Sequence, residues 1–215
     1  MTKESDCITV FAPATVANVG CGFDVLGFAL EQPGDEVTLK KIEGTEIIIK
    51  KMIGAEDLPT HPDKNVAGVA IKTMLQDMGV EQGLEITIKK GIKAGSGIGS
   101  SAASSAGAVV GANHLLNNLF SKDDLVRFAM NGEKVASGVK HADNIAPCIF
   151  GGVTLVRSIF PLEIVALPSP ELFVTIVHPQ IEVRTADARS ILRQKVLLKD
   201  AIKQWGNIAG LVAGL

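Results

Sequence analysis

With 215 residues and 47% apolar content, the chain has room and material for one large domain or two small ones around a real core. A formal charge of −2 and 4% aromatic residues, with no tyrosine, exclude the basic, aromatic-studded surface that grips nucleic acid. The charged N-terminal residues lack an apolar signal core, and the longest uncharged run (94–121) is too rich in Gly, Ser and Asn to span a membrane, so a cytoplasmic protein without a membrane partner is expected.

In chain order, residues 8–12 read as a strand ended by Pro13, 18–24 as a glycine-rich loop, and 25–30 as an apolar segment. Residues 36–40 and 46–51 read as two strands paired through the Glu43-Gly44 turn. A loop with two prolines covers 52–64, and a helix covers 65–78, with Gly79 as its stop signal. Residues 84–90 alternate apolar and polar like a half-buried strand, and 103–119 read as a helix. Ser121 with Asp124 three residues on is an N-cap pattern for a helix over 123–137. A loop over 138–143 follows, then Gly151-Gly152 introduces a strand at 153–156. Further strands are expected at 163–167 and 173–177, and helices at 185–192 and 196–213.

Strands and helices mix without strict βαβ alternation, so the class is α+β. A division near residue 155 separates 1–155 from 156–215. The last helix has an apolar face and no following sequence to cover it, so the second domain is expected to be incomplete or covered by a dimer partner. Three cysteines at wide spacing, Cys7, Cys21 and Cys148, give neither a disulfide frame nor a zinc site and are read as structural.

Between the strand at 84–90 and the next helix lies Lys93-Ala94-Gly95-Ser96-Gly97-Ile98-Gly99-Ser100-Ser101. Alternate glycines remove side chains where a backbone must approach a ligand, and a glycine loop opening a helix aims N–H groups at an anion. Hydroxyls at 96, 100 and 101 add donors, and Lys89, Lys90 and Lys93 add positive charge. This is the pattern of a phosphate cradle. It is not a Walker A loop, which needs Gly-Lys-Ser/Thr, and the glycine spacing is wrong for a dinucleotide fingerprint.

Four further groupings carry candidate chemistry. Asn18-Val19-Gly20-Cys21-Gly22-Phe23-Asp24 offers an amide and a carboxylate suited to a ligand ammonium, or is a turn satisfying its own backbone. Glu133 with a Ser101 hydroxyl would serve a nucleotide's Mg²⁺, or is an exposed helix residue beside Lys134. Lys140-His141-Ala142-Asp143-Asn144 packs polar groups before an apolar segment, with a helix cap at Asp143 as the competing reading. Thr185 and Arg189 fall one turn apart on a helix, where an Arg fork can take a carboxylate or simply face solvent.

In this order the five pieces resemble the GHMP family of small-molecule kinases, and within it the homoserine kinases, over nearly the whole chain. Pro13-Ala14-Thr15-Val16-Ala17-Asn18-Val19-Gly20-Cys21-Gly22-Phe23-Asp24 looks like the family's first motif, and residues 95–103 like its ATP-phosphate motif, usually preceded by Pro where this chain has Lys89-Lys90. His141-Ala142-Asp143-Asn144-Ile145-Ala146-Pro147 with Arg184-Thr185 and Ala188-Arg189 points to the homoserine branch.

The resemblance implies a ribosomal S5 domain 2-like N-terminal domain and a partial ferredoxin-like C-terminal domain. It implies ATP-dependent phosphorylation of L-homoserine on the route to threonine, with Mg²⁺, in a homodimer. A nucleotide-binding remnant without turnover, or a kinase for another small alcohol, is the alternative. Asn65 would meet adenine, and Lys89, Lys90, Gly91, Ile92, Lys93, Ala94 and the loop from Gly95 to Ser101 would hold the nucleotide. Ser101 and Glu133 would lie near the metal. Asn18, Asp24, His141, Thr185 and Arg189 would line the amino-acid pocket, with Asp24 toward the ammonium and Arg189 toward the carboxylate. Asn144 would stand where related kinases place a catalytic Asp, with Asp143 as an alternative base. The family's third glycine-rich motif and a further substrate Arg are not visible in this sequence.

Overall fold

The computed structural model describes residues 6–177, 190–193 and 195–215. Its elements are β1 (Cys7–Ala17), β2 (Leu26–Ile42), β3 (Ile47–Ile53), α1 (Val66–Met78), β4 (Gly83–Lys89), α2 (Ser100–Leu115), α3 (Lys122–Ser137), α4 (Ile145–Phe150), β5 (Val153–Ile159), β6 (Leu162–Leu167) and α5 (Leu198–Ala213). Helices and strands mix as the sequence implied.

The sheet is organised by β2, a single 17-residue strand where the sequence suggested an apolar segment and a separate strand. One edge of β2 carries β1 antiparallel, from Cys7↔Lys40 to Ala17↔Gly27, with a register shift between Pro13 and Thr15. Thus Pro13, expected to end β1, marks a bulge inside it. The other edge of β2 is shared, with β4 pairing on 36–42 and β5 on 26–28. The expected hairpin between 36–40 and 46–51 does not form. β3 runs parallel to β4, which slots between β2 and β3, giving the order β3-β4-β2-β5-β6. A parallel pair needs a crossover, and α1 supplies it.

The core lies between this sheet and α1, α2 and α3. Val37, Leu39, Ile86 and Ile88 from the sheet meet Ile71, Met74, Val109 and Phe128 from the helices, all fully buried. Burying each such side chain is worth about 1.5–3 kcal/mol. Small residues all round let α2 sink into this core. A Cβ at Gly107 would stand 2.7 Å from Val37 Cγ2, and one at Gly111 would overlap Leu39. That close approach places the N-terminus of α2 beside β1.

Local chemistry sets the helix ends. Ser121 and Asp124 form the expected capping box of α3, and Asn117 and Asn118, both at positive φ, stop α2 short of residue 119. Gly79 closes α1 in the left-handed conformation. Past residue 167 the expected strand at 173–177 is absent, and those residues are exposed coil. Most of the expected helix at 185–192 lies outside the described residues. The last helix, α5, touches the loop after β1: Gln204 Nε2 donates to the Cys21 carbonyl, and Leu211 lies against Gly20. No described helix is long and apolar enough to cross a membrane.

Candidate phosphoryl-transfer site

The loop between β4 and α2 is anchored from below. Asp35, at the bend of β2, is fully buried, and its Oδ1 accepts the N–H groups of Gly91 and Ile92, each at 3.1 Å. Its Oδ2 accepts from the Lys90 ammonium and from Ser104 Oγ at 3.0 Å. Lys90 also donates to Ser100 O and Ser104 Oγ, both at 2.9 Å, so it ties the loop's start to the first turn of α2. Burial pushes the Lys90 ammonium down from its ordinary pKa, while Asp35 pulls it back up.

Above this anchor the backbone is shaped by glycine. Gly95, Gly97 and Gly99 have φ of 74°, 79° and 71°, all left-handed. Gly99 is the N-cap of α2 and brings no side-chain cap, so the helix start keeps amides for an anion. The Ser100 hydroxyl is used within the loop, donating to Ile92 O at 3.1 Å.

Glu133 reaches the same place from α3. A Cβ on the preceding Gly132 would overlap Val66 O, so its absence lets α3 close onto α1. Burial pushes the Glu133 carboxyl above the usual carboxylate range, and a hydrogen bond with Ser101 opposes that shift. It is therefore not the exposed helix residue that the sequence left open. Two hard oxygen donors beside the glycine loop, one of them a carboxylate that loses solvation unless a cation compensates, fit Mg²⁺.

A polar part of the site is built by the loop after β1 and the segment before α4. Asn18 and Asp24 sit at φ 58° and 61°, a conformation that costs non-glycine residues strain. Asn18 Oδ1 accepts the Asp24 N–H at 2.8 Å, which closes the loop and leaves the Asp24 carboxylate 3.7 Å from His141 Nδ1. The amide thus serves the turn, as one sequence reading had it, and Asp24 lines the cavity described below. Asp143 is 3% exposed. The N-cap of α4 is Asn144 rather than Asp143, and the Asn144 side chain makes no cap bond. Instead its Oδ1 accepts from Thr15 Oγ1 at 2.8 Å.

A cavity of about 730 Å³ joins these pieces. Met52, Leu58, Pro59 and Val66 line it with apolar groups, Gly95, Gly97, Gly99, Ser101 and Glu133 with the glycine loop and its neighbour, and Asp24, His141, Asp143 and Asn144 with polar groups. Asn18, Lys90, Ala94 and Ser100 line it as well. Asn65 lines it too, but its side chain is committed. Its Oδ1 caps α1 through Ala67 and Gly68, and its Nδ2 donates to Pro59 O at 2.7 Å.

Other candidate residues stand elsewhere. Lys89 turns away to pair with Glu36 at 2.8 Å, Lys93 is exposed, and Ile92 is core. Ile98 packs beside Ala12 and Ala14, and Gly91 and Ser96 do not line the cavity. Thr185 and Arg189 lie outside the described residues. Sequence reasoning missed Asp35, Ser104 and the role of Thr15. Asp35 falls between the two segments read at 25–30 and 36–40, and only the pairing of β2 with β4 brings its carboxylate under Lys90.

Residues 65–152 match the family described as the GHMP kinases N terminal domain. The homoserine kinase of Chloroherpeton thalassium is 46% identical over 220 residues, an alignment covering 97% of this chain and 69% of that protein. The homoserine kinase of Methanococcus vannielii is 45% identical, with the same coverage of both. The crystal structure of homoserine kinase from Cytophaga hutchinsonii superposes with a TM-score of 0.90 at 48% identity, over 100% of this chain and 69% of that one. The mevalonate kinase of Methanococcus jannaschii, 16% identical with a TM-score of 0.61, shares the fold.

Proposed function

This chain belongs to the homoserine kinases of the GHMP kinase family, and from that premise we propose that it transfers the γ-phosphoryl group of ATP to the hydroxyl of L-homoserine. The observation that carries the reading is one cavity connecting a loop of left-handed glycines to the Asp24–His141 pair. The glycine loop and the amides at the start of α2 hold the triphosphate, and the apolar lining of Met52, Leu58 and Val66 takes the base. Asp24 receives the substrate ammonium, with His141 holding that carboxylate in place. Lys90 works beneath the loop as an anchor, its charge already matched by Asp35.

Ser101 and Glu133 would hold Mg²⁺, which when bound neutralises phosphate charge. Asn144 orients the substrate hydroxyl. Its oxygen forms the new bond to phosphorus, the bond from phosphorus to the β,γ-bridging oxygen breaks, and ADP leaves. The hydroxyl proton passes late to a phosphoryl oxygen. A loose transition state makes this workable without prior deprotonation, because positioning and charge neutralisation carry most of the acceleration.

The test is ADP release from Mg²⁺-ATP with L-homoserine, mevalonate, galactose and shikimate supplied separately. Turnover with L-homoserine well above the other three is expected. A preference for another alcohol, or nucleotide binding with no turnover on any, would sink the assignment.

A further inference from the structure

Asn144 faces the cavity with an amide whose two ends differ in chemistry, and a neighbour decides which end looks inward. Thr15 lies on β1 just past its bulge and is fully buried. Its backbone N–H donates to Ile98 O at 3.2 Å, which fastens it to the glycine loop. A buried hydroxyl proton requires an acceptor. Thr15 Oγ1 finds one in Asn144 Oδ1 at 2.8 Å. The carboxamide is planar, with oxygen and nitrogen on opposite arms, so a wall-side Oδ1 leaves the Nδ2 protons toward the cavity that Asn144 lines. Turning the amide over would present N–H groups to the hydroxyl and strip the Thr15 proton of its acceptor. Gly99 leaves room for the arrangement, since a Cβ there would overlap Thr15 Oγ1 and stand 3.0 Å from Asn144 Oδ1.

We propose that Thr15 is a positioning residue for phosphoryl transfer, its hydroxyl locking the Asn144 amide so that Nδ2 donates to the substrate's hydroxyl oxygen. Asn144 then serves as a hydrogen-bond donor and takes no proton. A lone pair of the held oxygen is directed at phosphorus, while the departing proton is left to a phosphoryl oxygen. The inference rests on the kinase reading above and adds to it a residue that touches neither substrate.

The test compares the whole chain with Thr15→Val, Thr15→Ser, Asn144→Asp and the Thr15→Val/Asn144→Asp double variant. For Thr15→Val, kcat is expected to fall about tenfold with KM for ATP nearly unchanged, and Thr15→Ser to recover most of the loss. The double variant should be no slower than Asn144→Asp alone, because a carboxylate has no N–H for Thr15 to orient. An unchanged kcat in Thr15→Val, or losses that multiply in the double variant, would overturn the proposal. Should Thr15→Val fail to fold, the side-chain amide of Asn144 is read by NMR in the unaltered protein and in Thr15→Ser. Strong cross-peaks from the Nδ2 protons to Thr15 would reveal the opposite orientation and end the idea. A chain inactive on every alcohol removes the phosphoryl-transfer role along with the kinase reading, while the same spectra still report whether the lock exists.

Discussion

The ammonium of Lys90 and the carboxylate of Asp35 form an ion pair beneath the glycine loop, with 2% and 0% of their side chains exposed. Among the described residues, the pair's other hydrogen bonds go to the loop or to α2: the Gly91 and Ile92 amides, the Ser100 carbonyl and the Ser104 hydroxyl. Breaking one side of such a pair leaves an uncompensated buried charge, which costs about 3–5 kcal/mol. Lys90→Met and Asp35→Asn should each lower unfolding free energy by about that much in urea titrations. The double variant should lose less than the sum, and strict additivity would contradict the coupling.

Glu133 gives a pH test with a definite sign. Burial raises its folded pKa above the unfolded value, so the folded state binds more protons between the two. Its effect on stability is absent at low pH and becomes a growing penalty as pH rises from the ordinary carboxylate range through the folded pKa. Glu133→Gln should therefore melt higher than wild type at pH 8, with the difference shrinking toward pH 5, in the absence of nucleotide and metal. The same variant should bind Mg²⁺-ATP about tenfold more weakly, by loss of one charged oxygen donor. A variant that melts lower at pH 8 would show that the carboxylate is stabilising after all.

Gly99 and Gly97 share a left-handed φ but not the same surroundings. A Cβ at Gly97 meets nothing within 4 Å, whereas one at Gly99 falls on the Thr15–Asn144 hydrogen bond. Gly97→Ala should cost only the conformational penalty, about 1 kcal/mol, and retain the fold. Gly99→Ala should cost more and lose most turnover. Thermal melts and single-turnover rates on the pair distinguish backbone strain from displacement of Asn144, and equal effects would remove the distinction.

The Asp24 loop is closed by Asn18 and held in its middle by Gln204. Asp24→Asn should raise KM for L-homoserine by at least tenfold while KM for ATP stays within about twofold, since a charge-assisted hydrogen bond to the ammonium is lost. Gln204→Leu removes the donor to the Cys21 carbonyl from α5 and should produce a weaker shift in the same direction. Parallel rises in both KM values would place the loop outside the acceptor pocket.

Much of the site could be read along the chain because its parts are local. Alternating glycines before a helix, the Ser121/Asp124 cap and the Gly79 stop all act within a few residues, so spacing alone reveals them. The neighbouring residues Lys89 and Lys90 mark where that reading stops. They look alike in sequence, yet strand alternation sends Lys89 out to Glu36 and Lys90 in to Asp35. The expected 36–40/46–51 hairpin failed for a related reason: the strand that fills the gap comes from beyond α1, and a turn signal carries no information about it.

By itself the amino-acid sequence determined the α+β class, the glycine loop that opens a helix and the kinase family, because these depend on residue types at short, fixed separations. Tertiary structure alone decided that Asp35 meets Lys90, that Glu133 is recessed against Ser101, and that the Thr15 hydroxyl meets the Asn144 amide oxygen. Those pairs join residues 32 to 129 positions apart. Their chemistry arises only when packing removes water and leaves each polar group one partner to find.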